Sequence, residues 1–178
     1  IPSTWTPGAT DWGLTADAIL ALSSRRVAAA AAATATDALE TNVYSYISPS
    51  GGDTRSAGAV AKVALVAQVQ GRDATTFKDV DLIANLGSLK STTTPNAGRF
   101  RDNNAGADYS GTFSQSLALL ALSRWGAVPA DSVQWLVGLQ CPHGWYPFSP
   151  DETTGQCAGN SDVDPDATAM AIQAFVAS

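Results

Sequence analysis

The segment SGTFSQSLALLALSRWGAVPADSVQWLVGLQCPHGWYPF, residues 110–148, decides the fold class. Apolar side chains recur in its first half at helical spacing: Phe113, Leu117, Leu120 and Ala121. This spacing predicts one face of an α-helix that Gly126 can end. The same spacing returns between residues 131 and 140 and predicts a second helix, which the following Cys-Pro pair ends. Because few residues separate the two helices, we expect them to pack antiparallel as a helical hairpin.

Weak copies of this apolar run recur along the chain. Each copy of the run ends in Ala-Leu or Ala-Phe, at residues 21–22, 64–65, 121–122 and 174–175. The number of residues between successive copies varies too much for a solenoid of fixed period. It suits helical hairpins joined by loops of variable length. A hairpin cannot bury both of its faces alone, so the copies are expected to pack side by side. The sequence therefore predicts an all-α repeat fold in one domain, residues 1–178, with an extended lead-in at 1–11.

About seven helices are predicted in total. Besides the two in the quoted segment, the pattern predicts helices at about residues 14–24, 27–47, 56–70, 79–89 and 166–177. The last of these has no partner helix in the chain. We therefore expect a second copy of the chain, as a homodimer, or an additional domain to cover its apolar face.

Composition excludes two classes of partner. The net charge is −6 and no cluster of Lys and Arg occurs, whereas nucleic-acid binding depends on neutralising phosphates. No run of 18 or more apolar residues occurs either, so no membrane span is predicted. We expect a protein that binds neither nucleic acid nor the bilayer core.

Two cysteines, Cys141 and Cys157, stand at either end of one loop rich in Pro, Gly, Ser and Thr. This placement favours a disulfide, which forms in an oxidising compartment and predicts a secreted, extracellular protein. Its loop closure would contribute about 3 kcal/mol in the entropy model. The alternative is a pair of free thiols in a cytosolic protein. His143 is the sole histidine, so the ligands of a structural zinc site are lacking and no metal is expected.

The same lone histidine argues against several kinds of enzyme. A Ser-His-Asp or Cys-His arrangement would have to use His143, which lies in a Pro-His-Gly turn, and neither a nucleophile elbow nor a phosphate-binding loop occurs. Two signals remain. One is the aromatic turn at residues 140–148, and the other is the acidic segment DVDPDATA at residues 162–169.

The acidic segment has a structural and a catalytic interpretation. In the structural one, Asp164 caps a helix, Pro165 takes its first position and Asp166 lies in the first turn, where the helix dipole favours negative charge. A calcium loop is less favoured because the Gly and the Glu of an EF-hand are missing. In the catalytic interpretation, a carboxylic acid held protonated by its neighbours transfers a proton to an apolar substrate.

The segment Asp164-Pro-Asp166-Ala-Thr-Ala169 resembles the Asp-x-Asp-Asp-Thr-Ala signature of class II terpene and squalene-hopene cyclases. Residues 139–145, LQCPHGW, resemble their Gln-Trp repeat turn. The chain as a whole resembles secreted prenyltransferase and squalene-oxidase repeat proteins of actinobacteria, in the hairpin 114–140, the loop GRFRD at 98–102 and the paired cysteines. The resemblance implies part of an α/α toroid, and in a cyclase the acid would be Asp166.

Two functional hypotheses follow. The first is a non-catalytic extracellular module without a cofactor that binds an apolar small molecule or a protein partner through aromatic loops at the helix ends. Its candidate ligand-binding residues are Trp145, Tyr146, Phe148, Phe100 and Tyr109. The alternative is a cyclase-like enzyme that protonates an isoprenoid with Asp166, assisted by Asp164. We favour the first because Ala167 stands where the cyclase signature has its next aspartate.

Overall fold

The computed structural model describes residues 1–104, 107–159 and 163–178. In these residues it contains eight helices and isolated β-bridges but no strands: α1 (Trp12–Arg25), α2 (Ala29–Thr41), α3 (Val43–Ile47), α4 (Ala57–Val69), α5 (Leu82–Leu89), α6 (Thr112–Trp125), α7 (Ala130–Gly138) and α8 (Pro165–Ala177). The predicted all-α class is therefore confirmed. Across these ranges, none of the helices has both the length and the apolar composition that a bilayer crossing needs.

The largest difference in helix positions is a break in the predicted helix at residues 27–47. In addition, α5 begins at Leu82 rather than at residue 79, and α7 ends at Gly138 rather than at residue 140. Asn42 leaves helical geometry, with φ −111° and ψ 20°, and separates α2 from α3. Its side-chain Nδ2 donates a hydrogen bond to the carbonyl of Ala38 at 2.9 Å. A local hydrogen bond of this kind competes with the helical pattern, which explains why eight helices form where about seven were predicted.

The helices pack as a series of neighbouring pairs. Contacts run from α1 to α4, from α4 to α6 and from α6 to α8, so these four form an inner row. The outer helices α2, α5 and α7 each pack on the inner helix before them, which is α1, α4 and α6 respectively, and the short α3 packs on α4. This is the side-by-side packing of hairpins that the sequence predicts.

Small residues bring α4 and α6 together at the centre of the row. A Cβ atom on Gly58 would lie 2.8 Å from Oγ of Ser114 and 3.7 Å from its Cα, so a larger residue would fit there only if the Ser114 hydroxyl turned away. Further along, Nε2 of Gln68 donates to the carbonyl of Ala121 at 3.1 Å. The main hydrophobic core lies around α4, and a second cluster, which includes Leu119, Trp135 and Leu136, lies between α6, α7 and α8.

The same glycine turn leads from two outer helices toward the next inner helix. Gly98 and Gly144 have φ of +91° and +90°, a left-handed conformation that side-chain-bearing residues rarely adopt. Two residues later in each turn stands a buried aromatic residue, Phe100 or Tyr146. The turn thus repeats from one hairpin to the next, which supports the predicted repeat.

Each buried aromatic residue is fixed by the inner helix that follows it. The amide of Phe100 donates to Oε1 of Gln115 on α6 at 2.9 Å, and the amide of Tyr146 donates to Oγ1 of Thr168 on α8 at 3.0 Å. Gln115 is fully buried and also donates to two backbone carbonyls. These hydrogen bonds position the loops against the starts of α6 and α8.

The predicted disulfide between Cys141 and Cys157 is present. It ties the segment after α7 to the middle of the loop that leads to α8. The predicted end of α6 at Gly126 is also confirmed, with φ +85°.

Candidate functional site

The four inner helices line one open groove of about 630 Å³. Its apolar lining comes from all four of them: Leu20, Leu65, Val69, Leu117, Leu120 and Met170. Leu117 is buried, and the other five are only half-buried. Apolar side chains on four neighbouring helices therefore share one surface that the described protein atoms do not cover.

The local sequence explains why this surface exists. Leu117, Leu120 and Arg124 of α6 recur at spacings of three and four residues, and Leu65 and Val69 of α4 are four residues apart, so each set lies on one helix face. Other apolar residues of α4 and α6 fill the core on the opposite sides. Both helices are thus apolar on more than one face, as helices with buried surroundings are.

One ion pair lies beside the groove. Nζ of Lys62 on α4 is 2.8 Å from Oδ1 of Asp17 on α1, and Asp17 contributes to the lining. Close by, the pKa of Tyr46 is raised well above its ordinary value by burial and then by the negative charges of Asp17 and Asp11. Tyr46 therefore keeps its proton at physiological pH, and the Asp17 charge is compensated by Lys62.

A second charged group lies near the start of α6 and holds loops together. Arg99 is fully buried, and its guanidinium donates to the Ser110 carbonyl at 2.6 Å and to Oε1 of Glu152 at 3.0 Å. The guanidinium also lies 5.7 Å from the centre of the Trp135 ring. These contacts join the loop at Arg99 to Ser110 and to the loop of Glu152.

Asp108 connects that group to its neighbour Arg101, whose Nε lies 2.6 Å from Oδ2 of Asp108. Burial acts to raise the pKa of Asp108. Hydrogen bonds from Ser110 and Arg101 and the charge of Arg99 outweigh that effect, so the pKa lies below its ordinary value. Asp108 is therefore ionised in the folded protein at neutral pH.

The five predicted ligand-binding rings divide into two groups. Phe100 and Tyr146 are buried in the core, where the glycine turns place them, and they cannot contact a ligand at the surface. Trp145, Phe148 and Tyr109 are 47%, 57% and 77% exposed. The groove lies elsewhere, and none of the five rings lines it. The binding role of the three exposed rings stays a prediction.

The acidic segment has the geometry of its structural interpretation. Asp164 is the N-cap of α8 and accepts a hydrogen bond from the amide of Ala167 at 2.7 Å. Pro165 is the first helical residue, and Asp166 is exposed in the first turn. Residue 162 of this segment lies outside the described residues. Within the three described ranges, no three His, Cys, Asp or Glu side chains are grouped so that they could hold a metal ion.

Comparisons of the chain with protein-family models, with curated proteins and with solved structures found no significant match. The resemblance to the repeat proteins therefore rests on the sequence segments quoted for it above.

Sequence reasoning missed the groove because it assigned one apolar face to each helix. A signal was present in α4, where Leu65 and Val69 lie on a different face of the helix from the fully buried Val60 and Val63. An inner helix with a second apolar stripe needs a second apolar neighbour or a ligand.

Proposed function

We propose that this chain is a secreted, non-catalytic helical-repeat module that binds an apolar small molecule in the groove formed by α1, α4, α6 and α8. The observation that carries the proposal is the half-buried apolar lining, to which all four inner helices contribute. A volume of about 630 Å³ lies within the range of roughly 300–1,000 Å³ that is common for small-molecule pockets. The disulfide supports secretion, since such bonds persist in oxidising compartments.

The packing order of the inner row supports a partial α/α toroid, in which the groove would be the concave inner side. The exposed rings Trp145, Phe148 and Tyr109 would offer a protein partner contacts at the end loops. The expected cover over α8 is likewise a proposal, supported by the exposed Ile172 and Val176. Light scattering of the purified chain checks the homodimer.

We do not propose the cyclase activity. A proton donor to an apolar substrate must be held in a buried, water-poor site, whereas Asp166 is exposed. Asp164 uses its side-chain oxygen to cap α8.

Titration with the neutral fluorescent probe N-phenyl-1-naphthylamine tests groove binding. We expect saturable fluorescence enhancement with one site per chain. The double substitution Leu65→Gln, Leu120→Gln should weaken binding at least tenfold, because it places two polar amides in the apolar lining. Val137→Gln is the control, since Val137 is exposed on α7 and does not line the groove.

Thermal unfolding of each variant separates lost binding from lost folding. A wild-type chain without saturable binding would refute the proposal. An equal loss of binding in the Val137→Gln control would refute it too, because the probe would then be bound outside the groove.

A further inference from the structure

We infer that the molecule bound in the groove is a single-chain anionic amphiphile, whose carboxylate or phosphate group is held by Arg26 and Arg124. This inference rests on the proposed function, because it names the chemical class that the same groove accepts. It comes from how charge is distributed along the groove.

The two arginines lie at one end of the apolar lining. Arg26 directly follows α1 and Arg124 is in the last turn of α6, so both stand where inner helices end. Both are exposed and both line the groove, together with Val69, the last residue of α4. The groove thus has a cationic end and an apolar body.

Among the described residues, these two cations have no ion-pair partner. Within the same residues, five of the ten Lys and Arg side chains form salt bridges: Lys62, Arg72, Lys90, Arg99 and Arg101. Among the described residues, no carboxylate lies within 4 Å of the guanidinium groups of Arg25, Arg26 or Arg124. The Asp17 carboxylate of the lining is already paired with Lys62.

In the part of the chain that the structure describes, an acidic protein thus keeps two arginines without an ion-pair partner at one end of an apolar groove. The net charge of the chain is −6, which makes this local excess of cations stand out. A guanidinium forms two parallel hydrogen bonds with a planar oxyanion such as a carboxylate or a phosphate. The apolar tail of the same molecule would lie along Leu20, Leu65 and Leu120.

Arg26 is also unexpected for the backbone it occupies. Its φ of +52° is the left-handed conformation in which helices usually end on glycine. Gly126 occupies the equivalent position at the end of α6, with φ +85° and the same pattern of hydrogen bonds to the two carbonyls four and three residues before it. Glycine would adopt this backbone conformation at position 26 with less strain. Arginine therefore occupies the position despite the conformational cost of its left-handed backbone.

A purely structural role for these arginines predicts something different. Cations near helix C-termini stabilise the helix dipole, and that role would not depend on any ligand. Arg26→Gly separates the two roles, because it relieves the left-handed strain while it removes the charge. We expect this variant to be as stable as the wild type or more stable, and to bind the anion more weakly.

The test is displacement of N-phenyl-1-naphthylamine at pH 8 by four compounds with the same ten-carbon chain: decanoate, decyl phosphate, decanol and decyltrimethylammonium. We expect both anions to bind at least tenfold more tightly than decanol and the cation to bind least. Arg26→Gly and Arg124→Gln should each weaken anion binding about tenfold and leave decanol binding unchanged. Lys78→Gln, which removes an exposed cation outside the groove, is the control and should change nothing.

The outcomes separate the two proposals. Equal binding of all four compounds, with no effect of the arginine substitutions, would overturn this inference and leave the apolar groove in place. Absence of binding by the probe and by every ten-carbon compound would overturn the proposed function itself. Binding only to vesicles that contain phosphatidylglycerol, seen by co-sedimentation, would also overturn the inference, because a bilayer surface rather than a single molecule would then be the ligand.

Discussion

Arg99 and Glu152 join two loops that are 53 residues apart in sequence. Nη2 of Arg99 donates to Oε1 of Glu152 at 3.0 Å, and Nη1 lies 3.3 Å from Oε2. The pair is asymmetric, because the Arg99 side chain is 1% exposed while that of Glu152 is 55% exposed. Arg99 has further partners in the Ser110 carbonyl and in Asp108, so its burial does not depend on Glu152 alone.

This asymmetry predicts unequal effects of removing each partner. Arg99→Met should lower the free energy of unfolding by about 3 kcal/mol or more, because it leaves buried acceptors without their donor. Glu152→Gln should cost less than about 1 kcal/mol, as is usual for an exposed charge. Urea unfolding followed by circular dichroism measures both. Similar losses in the two variants would show that the stabilisation comes from the ion pair rather than from the buried guanidinium.

The ionised Asp108 makes the fold sensitive to acid. Its folded-state pKa lies below its unfolded value, which is about 3.9, so the folded state binds fewer protons over that range. The stabilisation is therefore fully present above about pH 4 and is lost as the pH falls through the folded-state pKa. As the pH is lowered below 4, we expect the urea concentration at the midpoint of unfolding to fall for the wild type. We expect it to fall less steeply for Asp108→Asn. Identical acid dependence in the two proteins would contradict this assignment.

Two glycines with the same backbone conformation are expected to differ widely when each is changed to alanine. At Gly98 a Cβ atom would lie 2.3 Å from the carbonyl oxygen of Asp131, whereas at Gly144 the nearest heavy atom would be 3.9 Å away. Gly144→Ala should therefore cost only the left-handed strain, about 1–2 kcal/mol. Gly98→Ala carries that strain plus a clash with backbone, so we expect a loss of several kcal/mol or an insoluble protein.

Comparison of the unfolding midpoints of Gly98→Ala and Gly144→Ala measures this difference. Equal effects at both positions would mean that conformational strain alone determines the cost, and that the close approach of Gly98 to Asp131 relaxes freely.

Local signals explain why most helices could be predicted from the sequence. The N-cap Asp164 and the terminating Gly126 act within a few residues of themselves, so a short window contains the whole cause. The break at Asn42 could not be predicted. It accompanies a single hydrogen bond from a side chain to the backbone, which leaves the apolar spacing of the sequence unchanged.

Features that depend on distant partners could not be predicted. The loop GRFRD is polar and would be expected to be exposed. Arg99 is nevertheless buried, because Asp108 and Ser110 from later in the same loop and Glu152 from a different loop converge on it. The burial of Phe100 and Tyr146 likewise depends on Gln115 and Thr168, which follow them by 15 and 22 residues. The groove needs the packing order of four helices, which no single segment contains.

Asp164 and Asp166 should differ in stability but not in binding. Asp164→Ala removes the side-chain acceptor of the Ala167 amide and should cost about 1 kcal/mol, the usual effect of losing an N-cap. Asp166→Asn removes only an exposed charge near the positive end of the α8 dipole and should cost less than that. Neither residue lines the groove, so binding of N-phenyl-1-naphthylamine should be unchanged in both variants.

Incubation of the wild type with linear isoprenoids, analysed by mass spectrometry coupled to gas chromatography, should yield no cyclic product. A cyclic product that disappears in Asp166→Asn would show that this carboxyl group is catalytic and would replace the binding proposal with the cyclase.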